Sequence, residues 1–585
     1  MPNKQSNVYK GLAAAPGISI AQAYLFKKEI EFISSANIEN VDEALRILDE
    51  ALEKSKKELN KVFSLAIDKL GEKRAAIFEA QIMILDDPIL IDTIKNRIRN
   101  EKRTPEYIVN DEISRYQSMM DTVNEPYMKE RSQDIEDIKL RIIRNIKKKK
   151  WQSHITDEVI VVTDNLTPAD TVLFSRANIK GYVTNFGGLT SHAAIIARSL
   201  HIPAVLGLHD ATAKINDSDL VIVDGYRGEV VIRPNDEQLE YYNERIGSLT
   251  LYDEELSTLK DLPAETLDGR KISLLANLDI SEEVDLIVSN GANGIGLIRT
   301  EQLFEELDQF PSEEEQYEWY TQIAERVYPD IAIIRVLDIG GDKILPVDVQ
   351  EANPFLGWRG IRFLLDNKQL FKTQLRAILR ASVHKNIKVM LPMVASITEV
   401  RQSKEILEEC KKELRKEKHS FDNNIELGMM VEIPSAAVLA HEFAKEVSFF
   451  SIGTNDLIQY LLAVDRGNEI VSNLYQEFHP SVIRTIDFII KEGKRHNVFV
   501  SICGEMASDQ IAIPLLIGLG LDSLSVSPAL IPVTKQIIRN ISYEEVQKLV
   551  EKCLTAVTEH EVKNLVSAYF DKNIKEHLKS FFVNG

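Results

Sequence analysis

In the stretch Gly187-Gly188-Leu189-Thr190-Ser191-His192-Ala193-Ala194-Ile195-Ile196-Ala197-Arg198, two glycines precede two hydroxyl residues and a histidine. Glycine lets backbone amides approach a bound group closely. Thr190 and Ser191 are helix-start residues, and the alanine-rich apolar run that follows reads as a buried helix. His192 therefore falls in or just before a first helical turn, where unpaired N–H groups and the positive dipole end favour an anion. An imidazole held there can act as a nucleophile and carry a phosphoryl group. A packed or N-capping histidine fits the same short motif, so the spacing alone does not decide. The chemistry needs a donor site elsewhere in the chain.

The C-terminal half offers one. From about residue 270, eight apolar runs recur at fairly even intervals, each followed by a helical pattern: SLLANLDI, GIGLIRTE, IAIIRVLDIGGDK, KVMLPMV, LGMMVEIP, FFSIGTND, VFVSICGE and LDSLSVSP. Eight β-then-α units in this length predict a (β/α)8 TIM barrel, with a doubly wound open sheet as the other arrangement the pattern allows. In such a barrel the working groups cluster where strands end. Arg299 ends the second run and Arg335 lies late in the third, followed by Asp338, Gly340-Gly341 and Lys343. Arg359 lies in the region after the third run, Glu432 ends the fifth, Asn455 and Asp456 the sixth, and Cys503 the seventh. Two arginines and a lysine on one predicted face suit a small, multiply charged anion, since phosphate and carboxylate both fit guanidinium forks. Glu432 and Asp456, on adjacent predicted strands, are placed to hold Mg2+ beside that anion. A cysteine at a strand end can move a proton.

Upstream, the strand-like residues 7–29 are broken by a Pro16-Gly17 turn and have no core of their own. Helical sequence then runs from about Val41, with breaks near Gly71, Asp86-Asp87-Pro88, Pro105 and Pro126 that predict a small bundle. Beyond Trp151, short Val/Ile-rich runs predict an α/β unit that contains His192. The N-terminal strands are expected to pair with it, which makes the helical segment an insertion in a discontinuous domain. The expected division is 1–35 and 148–235 for the α/β domain, 36–147 for the helical insertion, 236–262 for a charged linker helix, and 263–585 for the barrel.

The bulk properties exclude several classes. The 585 residues are 44% hydrophobic and 27% charged, as in an ordinary globular protein. A formal charge of −20 disfavours nucleic acid or an anionic membrane as partner. Cys410, Cys503 and Cys553 are widely spaced and form no CxxC pair, which fits a reducing compartment. Neither a signal-like start nor an apolar span of membrane length is present in the sequence, and a cytoplasmic location is expected.

These motifs together resemble enzyme I of the bacterial phosphoenolpyruvate-dependent sugar phosphotransferase system, within the wider phosphoenolpyruvate-utilising family that includes pyruvate phosphate dikinase and phosphoenolpyruvate synthase. GGLTSHAAIIAR, GIGLIRTE, DIGGDKILP, NPFLGWRGIR, LRAILRAS, MMVEIPSAA, FFSIGTNDLIQY, AVDRGN, HPSVIR and CGEMA carry the resemblance, which covers nearly the whole chain. It implies a swivelling phosphohistidine α/β domain with an all-helical insertion, followed by the barrel. It further implies that His192 accepts the phosphoryl group through Nε2, and that Arg299, Arg335, Asn455 and Arg466 hold phosphoenolpyruvate. Lys343 and Arg359 are implied as supporting charges, Glu432 and Asp456 as Mg2+ ligands, and Cys503 as the group that protonates the departing enolate to pyruvate. The implied partners are the phosphocarrier HPr, docking on the insertion, and a second copy of the chain through the barrel. Only 186 residues precede Gly187, too few for the ATP-binding domain of a dikinase or synthase.

The sequence departs from the family pattern at Gln81, Leu189, Gln302, Val347 and Ser508. None of these carries implied chemistry, and they bear on partner fit and rate. The rival expectation is a phosphoenolpyruvate-sensing regulatory protein that transfers little phosphate.

Overall fold

The computed structural model describes the chain except residues 1–6, 27–32, 71, 122–125, 149–157, 168–169, 171–173, 175–177, 189–191, 201, 280–282, 306–309, 341–350, 352, 467, 469 and 579–585. Some helical side chains, that of His192 among them, are also outside the description. The chain divides into two compact units, Met1–Gly247 and Ser248–Gly585. The helix Asp236–Thr258 runs through the point of division. Among the described residues no helix is long and apolar enough to cross a membrane.

In the first unit, β1 (Val8–Lys10), β2 (Leu12–Ala15) and β3 (Ile18–Leu25) join β4 (Val159–Thr163), β5 (Ile179–Thr184), β6 (Ala204–Leu206), β7 (Leu220–Asp224) and β8 (Glu229–Ile232) in one sheet. The order is β1-β8-β7-β3-β4-β5-β6-β2. β3 to β6 run parallel, whereas β1, β2, β7 and β8 pair antiparallel with their neighbours. β1 and β2 lie at opposite edges of this sheet, yet only Gly11 separates them. The sheet must therefore curl until its edges approach. Gly11 sits at that approach: its N–H donates to Gly228 O at 2.8 Å, and a Cβ there would lie 2.5 Å from Leu206 O.

The intervening chain forms five helices, α1 (Val41–Leu70), α2 (Glu72–Leu85), α3 (Pro88–Glu101), α4 (Pro105–Asp121) and α5 (Pro126–Ile146). Three begin at a proline, which suits the first helical position because the missing N–H would be unpaired there anyway. Asp87 caps α3 by accepting from Ile89 N at 2.8 Å. Buried Leu48, Leu59, Ile94, Ile98, Ile108 and Ile142 form part of the core of this bundle.

The second unit is a closed barrel of eight parallel strands: β9 (Ser273–Leu278), β10 (Gly294–Ile298), β11 (Ile331–Arg335), β12 (Ile387–Leu391), β13 (Leu427–Val431), β14 (Phe449–Gly453), β15 (Phe499–Cys503) and β16 (Ser523–Val526). Each of the eight expected runs supplies one strand, and the barrel rather than the open sheet is formed. The two-residue period of a strand sorts its side chains. Ala332, Ile334, Met429, Val431, Val500 and Ile502 pack outward on the helices. Ile331, Ile333, Met430, Phe449, Phe499 and Cys503 pack on one another inside the barrel. This interior layer is a solid floor, so any ligand must sit above it, at the strands' C-terminal ends.

Candidate active site

The inward period explains which residues meet there. Continued past each strand, it places Asp279 after β9, Arg299 after β10, Arg335 on β11 and Glu432 after β13 at the barrel mouth, above the interior layer that Cys503 on β15 completes. All line a cavity of about 750 Å3, with Asp338, Arg359, Asn455, Asp456, Arg466, Glu301 and Glu505. Of the expected barrel site residues, Lys343 lies outside those described, within the stretch 341–350.

The cavity floor is an ion cluster. Arg359 donates Nε and Nη2 to Asp338 at 3.0 Å each and Nη1 and Nη2 to Asp456 at 3.0 and 2.9 Å. Its Nη1 also reaches Tyr460 OH at 3.3 Å. Arg335 donates Nη2 to Glu301 at 2.8 Å and its Nη1 lies 3.2 Å from Asp338. Burial alone would lower both guanidinium pKa values. For Arg335 the charges of Glu301 and Asp338, and for Arg359 those of Asp338 and Asp456, outweigh it and raise them. Gly360 fits beneath at φ +59, where a Cβ would meet Met393 at 2.9 Å and Asp338 Oδ1 at 3.0 Å.

Glu432 is the strained member. It is 1% exposed, and its Oε1 accepts from Met393 N at 2.6 Å. Burial, then the charges of Asp456 and Asp338, push its carboxyl well above the ordinary glutamate value, and Arg335 and Arg359 only partly oppose this. Four carboxylates (Glu301, Asp338, Glu432, Asp456) face two guanidiniums (Arg335, Arg359) here, an excess of two negative charges when all are ionised. A divalent cation would offset that excess, and its hard oxygen ligands would be Glu432 and Asp456, on neighbouring β13 and β14 ends. Among the described residues no three His, Cys, Asp or Glu side chains form a ready-made metal cage. Mg2+ does not require one: it takes one or two carboxylates, with water and a substrate phosphate completing the octahedron.

The upper wall is more open. Arg299 is held by Asp279, with Nη1 at 2.9 and 3.0 Å from the two carboxylate oxygens. Asn455 Nδ2 and Arg466 Nη1 both point to Glu505 Oε1, at 3.3 and 3.5 Å. Asn455 stands in the first turn of the helix Thr454–Leu462, and Glu505 N donates to its Oδ1 at 2.9 Å. Gly504, at φ +94, permits this contact, because a Cβ there would lie 2.7 Å from Asn455 Oδ1. Tyr475 OH donates to Asn455 O at 3.3 Å. The Cys503 thiol is 2% exposed. Burial raises its pKa, opposed by a hydrogen bond from Ser451 Oγ at 3.5 Å. It stays a protonated thiol at neutral pH, the form that can give up a proton.

Glu301, Glu505, Asp279 and Tyr475 were not singled out by sequence reasoning. Asp279 shares the inward period and had a usable signal, whereas Glu301 and Glu505, within the GIGLIRTE and VFVSICGE runs, open short helices, where an acid is ordinary. Tyr475 follows a short 3-10 turn, Ser472–Leu474, and had none.

In the first unit, His192 opens α6 (His192–Ser199), after β5 and the glycine pair, as its spacing predicted. Gly187 adopts φ +131, a conformation that L side chains rarely take. α6 is gripped from two sides. Ala194 and Ala197 pack into the sheet's core, while Ile196 belongs to the core of the helical bundle.

Three family models match successive parts of the chain. The model of the phosphoenolpyruvate (PEP)-utilising enzyme, PEP-binding domain, matches residues 253–543. That of the PEP-utilising enzyme, N-terminal, matches 10–131, and that of the mobile domain matches 155–228. The phosphoenolpyruvate-protein phosphotransferase of Listeria monocytogenes is 42% identical over 564 residues, covering 96% of this chain and 99% of that one. The proteins of the same name from Bacillus subtilis and Mycoplasma capricolum are 42% and 43% identical, over 96% and 97% of this chain and 99% of each of theirs. The chain therefore belongs to the PEP-utilising enzymes, within the phosphoenolpyruvate-protein phosphotransferase family.

Proposed function

We propose that this protein is a phosphotransferase that moves the phosphoryl group of phosphoenolpyruvate to His192, releases pyruvate, and passes the group on to a histidine of the phosphocarrier HPr, the first step of sugar uptake by the phosphotransferase system. The observation that carries the reading is the cavity itself. Arg299, Arg335, Asn455 and Arg466 surround it, Glu432 and Asp456 lie at its floor, and a protonated thiol ends β15 beside them.

Phosphoenolpyruvate carries a phosphate and a carboxylate, both matched by guanidinium forks. Arg299, Arg335, Arg466 and Asn455 bind and orient it. Arg359 fixes Asp338 and Asp456, and Lys343 adds a further positive charge. His192 Nε2 attacks phosphorus as the bond to the enol oxygen breaks. The enolate's terminal carbon then takes a proton from Cys503 Sγ, which gives pyruvate. Glu432 and Asp456 would hold Mg2+, whose charge when bound helps to offset the charge spread over the phosphoryl oxygens.

His192 and the cavity belong to different compact units. The reading assigns any movement of one against the other during transfer to residues 236–262. Residues 1–35 and 148–235 carry the histidine, 36–147 receive HPr, and 263–585 bind phosphoenolpyruvate and join two chains as a dimer. The shared packing of Ile196 supports the assignment of HPr to the helices, since a protein docked there lies beside the helix that presents His192. Three separate, buried, free cysteines fit a cytoplasmic location.

Incubation with phosphoenolpyruvate labelled at phosphorus and Mg2+ should give acid-labile, base-stable label. Equal labelling of His192→Ala would refute the assignment. Cys503→Ala should slow pyruvate release by about a hundredfold or more while leaving phosphoenolpyruvate binding within a few-fold, the behaviour of a lost general acid. Single-turnover pyruvate assays with a parallel binding titration separate the two; equal loss of both would make Cys503 a packing residue only.

A further inference from the structure

Two of the cavity's anion-binding arginines already hold anions. Arg299 is paired to Asp279 and Arg466 to Glu505, and both acids line the same cavity. Asp279, Arg299, Asn455 and Glu505 also line an adjoining cavity of about 420 Å3, so they stand on the wall that the two share. These pairs differ from the floor cluster in one respect. Asp338 is fully buried between two guanidiniums, whereas the Asp279 and Glu505 side chains are 50% and 70% exposed. An exposed pair is weak and easily exchanged for water or another anion. Glu505 holds its donors at 3.3 and 3.5 Å, contacts at the long end of the hydrogen-bond range.

We propose that Asp279 and Glu505 are built-in anion surrogates, which occupy the Arg299 and Arg466 guanidiniums until phosphoenolpyruvate displaces them, and which thereby select a ligand with two anionic groups over one with a single group. The inference rests on the phosphotransferase reading for its substrate. The physical reason is that the two acids guard different arginines. A ligand with both a phosphate and a carboxylate engages both arginines, so both acids can move off into solvent together. Inorganic phosphate engages one arginine and still faces the negative charge that guards the other. Like charge across a confined cavity weakens binding without the need for any steric block. The acids are positioning groups in this account and take no part in the chemical step.

The test compares wild type with Asp279→Asn, Glu505→Gln and the double variant. Each change is nearly isosteric, and both sites are solvent-exposed, so folding should hold; thermal unfolding checks this. Two quantities are read, KM for phosphoenolpyruvate and the dissociation constant for inorganic phosphate by calorimetry. Each single variant should lower KM about two- to threefold and tighten phosphate about fivefold. If the single effects multiply, the double variant should narrow the preference for phosphoenolpyruvate over phosphate by about three- to sixfold. The differences should shrink in 0.5 M NaCl, because exposed charges are screened. A raised KM, or phosphate binding unchanged in both single variants, would overturn the proposal and leave the acids as supports for Arg299 and Asn455. Failure of the wild type to turn over phosphoenolpyruvate would count against the phosphotransferase reading instead, while the phosphate titrations would still decide this one.

Discussion

Arg359→Met should destabilise the barrel unit by about 3–5 kcal/mol and abolish measurable pyruvate formation. The side chain is 7% exposed and lies between Asp338, fully buried, and Asp456, 10% exposed. Its donors at 2.9–3.0 Å satisfy both carboxylates along two edges. Methionine fills similar volume but leaves two carboxylates facing buried Glu432 with only Arg335 as counterion. Breaking a buried pair costs more than the pair contributed, because the remaining charge stays desolvated. Arg359→Lys should recover less than half of the loss, since an ammonium cannot span two carboxylates with a planar fork. Denaturant unfolding followed by a barrel-specific probe, with pyruvate release measured in parallel, checks both parts. A stability loss below about 1 kcal/mol would show the cluster to be solvated and the argument wrong.

Glu432→Gln should do the opposite to stability while it removes activity. The raised carboxyl pKa means that the folded protein binds a proton more tightly than the unfolded chain does. Above the ordinary glutamate value of 4.5, the unfolded chain has released that proton and the folded state has not, so stability falls as pH rises. The fall continues until the folded carboxyl itself ionises. A glutamine cannot ionise, and its carbonyl can still accept from Met393 N. Without Mg2+, the variant should match wild type near pH 4.5 and exceed it by on the order of 2 kcal/mol at pH 8. Added Mg2+ should raise the melting temperature of wild type and leave the variant unmoved, since a ligand stabilises only the state that binds it. Turnover should drop about a hundredfold or more, the scale of a lost contribution of several kcal/mol to the transition state. A variant less stable than wild type at pH 8, or one that still responds to Mg2+, would remove Glu432 from the metal site.

Much of the site could be read from residue order because a barrel converts period into position. Once eight strands are assigned, the inward parity alone carries Arg335 to the mouth and Cys503 to the interior layer beneath it, and its continuation past the strand ends carries Arg299 and Glu432 to the mouth. Asn455 and Asp456 followed from the same logic, as the first turn of the helix after β14. Arg466 did not. It lies beyond that helix, where the course of a loop and not a period decides direction, and only the resemblance of AVDRGN pointed to it. Glu301 and Glu505 were hidden for another reason. An acid in a first helical turn is what the helix dipole favours anyway, so its presence there is unremarked in sequence. The first unit shows a limit of a different kind. Local patterns predict β1, β2 and β3 as strands, but nothing local says that β1 and β2 go to opposite edges of the sheet. That follows from long-range pairing with β8 and β6. Leu189, beside the histidine, and Val347 lie outside the described residues, whereas Gln81 is buried in the bundle.

The central claim is that one phosphoryl group travels from phosphoenolpyruvate through His192 to HPr. The most direct measurement is transfer of labelled phosphorus to purified HPr, with wild type, His192→Ala and Cys503→Ala run side by side. The account predicts near-stoichiometric label on HPr with wild type, none with His192→Ala, and slowed but complete transfer with Cys503→Ala. Label on HPr in the absence of His192, or tight phosphoenolpyruvate binding with no label on HPr from the wild-type protein, would contradict it.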